Sequence, residues 1–116
     1  MHTKNEIPIA KQNEKMSKAL ITMTKKSFGC IGVIDNSKKI IGIITDGDLR
    51  RSLNSKFFDK KASEIMTKNP TIADKSMLVG EAINLMNKKK ITSLFVCDRK
   101  VPIGIIHIHD LLRLTS

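Results

Sequence analysis

The sequence predicts an α+β fold: two copies of one β-α-β-β-α unit, packed on each other with pseudo-twofold symmetry. Three observations predict it. Residues 16–51 and 79–113 repeat each other at an offset of about 63 residues. Each copy carries an apolar stripe at helical spacing, Met16, Ala19, Leu20 and Met23 in the first and Val79, Ala82, Ile83 and Met86 in the second. Each then carries two β-branched-rich runs around a short turn. Halves of about 55 residues are too small to bury a good core alone, so they are expected to pack on each other and to leave paired clefts.

The elements follow in order. Ile7-Pro8-Ile9-Ala10 is a short extended segment, with Pro8 better suited to a strand edge than to its middle. The first helix runs from Met16 and stops at Phe28-Gly29. Cys30–Ile34 and Ile40–Thr45 are strands joined by a hairpin turn over Asp35-Asn36-Ser37-Lys38-Lys39, and residues 47–53 form a short helix. Residues 54–61 are polar and charged and read as a linker between a repeat at 1–53 and a second at 62–116. Ala62-Ser63-Glu64-Ile65-Met66 is a helical turn, and Thr71-Ile72-Ala73 is extended. Residues 94–98 and 102–107 are the second pair of strands, with Asp98-Arg99-Lys100 in the turn, and residues 109–114 are the closing helix. The first repeat has no counterpart of 62–66, so it reads as N-terminally truncated, a unit entered part-way.

Composition narrows the function. Apolar content of 41% supports a real core. No apolar run approaches the ~18 residues of a membrane span, and the N-terminus lacks the apolar core of a signal peptide, so a cytoplasmic protein is expected. Cys30 and Cys97 lack C-x-x-C spacing and are expected to be buried thiols, neither bridged nor metal-bound. The net charge of +10 attracts anions, nucleic acid and phosphorylated metabolites among them, but a solvated lysine-rich surface is the plainer reading. Aromatics at 3%, without Tyr or Trp, leave almost no stacking platform for single strands, so nucleic acid is not an expected partner.

The sharpest motif is Gly42-Ile43-Ile44-Thr45-Asp46-Gly47-Asp48, where a strand hands over to a helix. Thr45 and Asp48 have the spacing of a capping box. The helix start suits a phosphate, Asp48 suits a ribose diol and Thr45 a sugar or phosphate oxygen; the plainer reading is a cap alone. The second copy keeps Gly104 and Asp110 but puts His107 for Thr45 and His109 for Gly47. His107 is read as a polar cleft residue, and the His107-Ile108-His109 pair lacks a third convergent ligand, so no metal is expected. No P-loop, G-x-G-x-x-G or nucleophile elbow is present, so no catalytic residue is assigned and the chain reads as a binding module.

The doubled unit with Gly-h-h-Thr-x-x-Asp at its last helix resembles a tandem cystathionine-β-synthase (CBS) domain pair, or Bateman module. It is similar in particular to the C-terminal pair of bacterial D-arabinose 5-phosphate isomerases. The resemblance rests on Met1-His2-Thr3 through Glu6-Ile7-Pro8, on Gly42 through Asp48-Leu49-Arg50-Arg51, and on Glu81-Ala82 with Leu85-Met86. It rests further on Lys90-Ile91-Thr92-Ser93 and on Gly104 through His107-Ile108-His109-Asp110-Leu111-Leu112-Arg113. It implies a parent enzyme that joins an N-terminal sugar isomerase domain, absent here, to this pair, and that feeds synthesis of the sugar acid Kdo for lipopolysaccharide or capsule. It implies homo-oligomers, with CBS pairs dimerising through their helices and the parent a tetramer. It implies a regulatory ligand between the halves, an adenine nucleotide or CMP-Kdo. The implied ligand-binding positions are Thr45, Asp46 and Asp48 in the first copy and His107, His109 and Asp110 in the second. His107 departs from the Thr/Ser pattern, which puts adenylate binding at the second site in question. The alternative is an oligomerisation module without a ligand.

Overall fold

The computed structural model describes residues 2–3, 7–26 and 28–110. In chain order its elements are β1 (His2–Thr3), β2 (Ile9–Lys11), α1 (Met16–Lys26), β3 (Cys30–Ile34), β4 (Ile40–Thr45) and α2 (Asp46–Ser52). A 3₁₀ turn (Phe57–Asp59) and α3 (Ala62–Ile65) follow, then β5 (Thr67–Lys68), β6 (Ile72–Asp74), α4 (Val79–Lys89), β7 (Ser93–Asp98) and β8 (Val101–His107). The chain forms two compact units, residues 8–70 and residues 71–116 together with 1–7. Among the described residues, no helix is long and apolar enough to cross a membrane.

In the unit of residues 8–70 the sheet order is β2-β3-β4-β5. β2 runs parallel to β3, a pairing that needs a crossover, and α1 supplies it. β3 and β4 form an antiparallel hairpin whose register shifts between Val33 and Ile34. Asp35 holds the turn by accepting from the Ser37 and Lys39 backbone N–H groups at 2.8 and 3.0 Å. The core gathers Met16, Ala19 and Met23 from α1 and Ile31, Val33 and Ile44 from the strands. α1 therefore buries one stripe, as its spacing predicts, and ends with Lys25 and Lys26 at the negative pole of the helix. Gly29, at φ +74°, turns the chain into β3.

The other unit repeats the topology, with sheet order β1-β8-β7-β6. β6 runs parallel to β7 across α4, β7 and β8 form the hairpin, and the register again shifts at the equivalent place, between Val96 and Cys97. Ala73, Ala82, Met86, Leu94 and Val96 make its core.

Three features go beyond the repeat pattern. Residues 54–61 do more than connect the repeats, because Phe57 is 1% exposed and belongs to the core of the first unit. The compact units do not coincide with the sequence repeats at 1–53 and 62–116: one of them runs on to Pro70, because Ala62 and Ile65 join that same core and β5 pairs with β4, Gly42 facing Lys68. Each sheet also gains an edge strand that the repeat pattern does not announce: β5 on β4, and β1 on β8 with His2 opposite Ile105. The short helix expected over 47–53 lies at Asp46–Ser52. The closing helix begins at residues 108–110; residues 111–116 lie outside the described residues. Both cysteines are buried and neither is in a disulfide, and burial, with Asp74 nearby, pushes the Cys97 thiol up to about 11.

Candidate functional site

The first copy of the motif folds around one carboxylate. Strand β4 ends at Thr45, whose extended backbone (φ −114°, ψ 172°) makes it the N-cap of α2. Its hydroxyl accepts from the Asp48 N–H at 3.4 Å, and the Asp48 carboxylate accepts from the Thr45 N–H at 2.9 Å, closing the capping box. The Thr45 hydroxyl also donates to Asp48 Oδ2 at 3.1 Å. The other oxygen, Oδ1, accepts from Thr67 Oγ1 at 2.7 Å and from Arg51 Nη2 at 2.6 Å. Asp48 is 5% exposed, while Thr67 and Arg51 lie at the surface.

Burial alone would raise the Asp48 pKa. The Thr67 hydroxyl, the Thr45 N–H and hydroxyl and the Arg51 guanidinium together outweigh it and hold the carboxyl below its usual value. The group is an anion with its roughly four acceptor positions all occupied. Asp46 stands apart from this cluster. It is exposed and lines a separate pocket of about 230 Å³ with Leu20, Met23, Thr24, Gly29 and Leu49.

The second copy, in the other unit, keeps the cap with different atoms. His107 Nδ1 accepts from the His109 N–H at 3.2 Å, and the His107 N–H donates to Asp110 Oδ2 at 3.4 Å. The two imidazoles stack, with centroids 4.8 Å apart. The ring of His107 thus does the work of the Thr45 hydroxyl, one residue closer to the strand, and its Nδ1 is occupied in doing so. Among the described residues, no three His, Cys, Asp or Glu side chains gather as a metal site.

Thr67 and Arg51 are the members of the cluster to which the sequence reading gave no role. Arg51 was within reach, since i,i+3 neighbours meet on a helix. Thr67 was not: it arrives on an edge strand 19 residues away, with no local pattern.

A strand-helix handover of this kind, present twice in two units of one topology, matches a known module. The family model described as CBS domain matches residues 1–55 and again 62–116. The chain belongs to the CBS domain family. It is 46% identical to an uncharacterized protein of Rickettsia prowazekii over 112 residues, and 37% identical to the arabinose 5-phosphate isomerase KdsD of Yersinia pestis over 115 residues. Each match covers 97% of this chain and 35% of the relative, so this CBS pair spans about a third of the length of the curated relatives it matches. Its fold is that of the Arabidopsis thaliana CBS-pair protein CBSX2, whose structure in complex with AMP aligns with a TM-score of 0.83 at 24% identity, covering 99% of this chain and 91% of that one.

Proposed function

We propose that this CBS pair is the regulatory module of an arabinose 5-phosphate isomerase serving Kdo and lipopolysaccharide biosynthesis in the cytoplasm. In this reading it binds a nucleotide or nucleotide-sugar at the Thr45–Asp48 cluster, an adenine nucleotide or CMP-Kdo. The isomerisation belongs to the sugar isomerase domain of the parent enzyme, which is the partner of this module, and the parent assembles as a homo-oligomer. The observation that carries the proposal is the cluster itself: a buried carboxylate ringed by two surface-reaching hydroxyl side chains and an exposed guanidinium. The KdsD relatives support the parent enzyme, and the AMP held by CBSX2 supports the ligand class. In the second copy, His107, His109 and Asp110 are proposed to take a different ligand or none, because an imidazole replaces the hydroxyl.

The test is a thermal-shift panel on the 116-residue chain with AMP, ADP, ATP, CMP, CTP, CMP-Kdo and arabinose 5-phosphate. A ligand at 100 times its Kd adds about 2.7 kcal/mol to stability. A shift with one nucleotide class establishes the sensor. A flat panel favours the second reading, a purely structural oligomerisation module without a ligand. That reading has its own support: every acceptor position of Asp48 is already satisfied, and Ile21, Leu78 and Val79 are exposed at 66%, 69% and 45%.

A further inference from the structure

We propose that the cavity at the start of α1 is a second ligand site, and that it takes a phosphate monoester of a polyhydroxylated compound, a sugar phosphate. It lies in the unit of residues 8–70. Lys11 of β2 pairs with Ile34, whereas Thr45 pairs with Cys30 at the far end of β3, so the cavity and the Thr45–Asp48 cluster sit at opposite ends of one sheet.

The cavity, of about 460 Å³, is lined by Lys11, Asn13, Glu14, Lys15, Ser17 and Lys18. That volume suits a small molecule. Backbone hydrogen bonds fix the loop that carries the lining. The Gln12 N–H donates to the Ile34 carbonyl at 2.9 Å and the Glu14 N–H to the Lys11 carbonyl at 3.0 Å. On its other side the Ala62 and Ser63 N–H groups donate to the Glu14 and Gln12 carbonyls at 2.8 and 3.1 Å, and the Met16 N–H donates to the Lys60 carbonyl at 2.8 Å. A loop held on both sides has little freedom left to lose on binding.

The charges of the cavity are unspent. Among the described residues, Lys11, Lys15 and Lys18 form no ion pair and no side-chain hydrogen bond. Stability does not account for them. Lys15 and Lys18 stand at the positive pole of α1, where cations are unfavourable, and the first turn of α1 has no acidic residue, while those of α2, α3 and α4 each have one or more. A phosphate offsets that repulsion, and lysine ammonium groups bind it as point charges. Glu14 sets a second requirement. Its Oε2 is closed to water and has no hydrogen-bond partner. A desolvated acceptor calls for a donor, and the soft terminal torsion of a glutamate lets a small rotation offer that oxygen to the cavity. The donor that accompanies a phosphate monoester is a hydroxyl on its carbon skeleton. None of the lining residues is aromatic, so a nucleobase finds no stacking surface. The equivalent loop of the second unit spends its charges: Lys75 pairs with Asp98 at 3.2 Å, and Glu81 accepts from the Leu78 N–H at 3.4 Å. The assignment is therefore for one such site per chain.

The test is calorimetry on the full chain at fixed, low ionic strength with ribose 5-phosphate, inorganic phosphate and ribose. Ribose 5-phosphate is expected to bind roughly fivefold tighter than inorganic phosphate, the worth of about one hydrogen bond, and ribose not at all. Lys15→Gln with Lys18→Gln weakens both phosphates by about tenfold or more, and leaves the melting temperature without ligand unchanged or higher. Glu14→Ala brings the two phosphates to equal affinity with the melting curve unchanged. Asp48→Asn, measured below its melting transition, leaves both affinities as they were, which separates this site from the Thr45–Asp48 cluster. Affinity for both phosphates retained in the double lysine variant overturns the site, as does the absence of binding by either phosphate in the wild-type chain. Equal affinity of the wild-type chain for inorganic phosphate and ribose 5-phosphate overturns the sugar phosphate as its ligand. Loss of binding in Asp48→Asn places the phosphate at the other cluster and overturns the assignment too.

Discussion

At Asp48 four donors converge on a carboxylate that water scarcely reaches. Removing the negative charge strands them. Asp48→Asn offers one carbonyl oxygen where two oxygens stood and turns an N–H₂ toward other donors, so it is expected to cost about 1–3 kcal/mol at neutral pH. The pH dependence has a definite sign. The carboxyl titrates near 3.8 when unfolded and lower when folded. Its stabilisation is whole above 3.8 and is lost as pH falls through the lower folded value. Urea titrations at pH 7 and at descending pH check this: the gap between wild type and Asp48→Asn narrows in acid, and a constant gap would contradict the account. Gly42 makes a steric argument of the same size. A Cβ there would meet Met66 Cγ at 2.7 Å and Cβ at 3.0 Å. Gly42→Ala is expected to cost about 1–3 kcal/mol, and less in a Met66→Ala background, where Cγ is gone; a double-mutant cycle measures the coupling.

At the scale of elements, the legible parts were those whose pattern is local. The β3–β4 hairpin announces itself in β-branched residues around Asp35, and α1 and α4 in their apolar stripes. The 3₁₀ turn at Phe57–Asp59 did not, because one buried Phe in a polar run carries no periodicity, and its neighbour Phe58 is 52% exposed. Strands β1 and β5, of two residues each, are too short for any alternation to register. The cap at Thr45 was legible for the same reason as the hairpins, whereas Thr67 reaches Asp48 only through such an unannounced strand. The β7–β8 turn shows local chemistry and geometry in conflict. Asp98 pairs with Val101, leaving a two-residue loop whose Arg99 and Lys100 both have positive φ, 53° and 69°. That geometry is a type I′ turn, which favours Asn-Gly. Arg99→Asn with Lys100→Gly is therefore expected to stabilise the protein by about 1 kcal/mol, read as a higher urea midpoint at unchanged slope.

At the scale of the whole molecule, the two repeats exchange their leading segments. The strand that follows the residue 62–66 turn, β5, completes the sheet of residues 8–70, and the strand at the start of the chain, β1, completes the sheet of residues 71–116. Each unit therefore depends on a segment that sequence order assigns to the other, which is why a boundary drawn from the repeat alone cuts through a sheet. An edge left bare costs backbone hydrogen bonds and opens a pairing surface. Removing residues 1–7 takes β1 from β8, where Thr3 faces Gly104 and His2 faces Ile105. The expected loss is about 1–3 kcal/mol, confined to the unit of residues 71–116. Native-state hydrogen exchange resolves it: amides of β7 and β8 lose protection while those of β3 and β4 keep theirs, because their edge strand β5 is untouched. Equal loss in both units would mean that the two cores unfold as one, and no loss would mean that β8 does not need its partner.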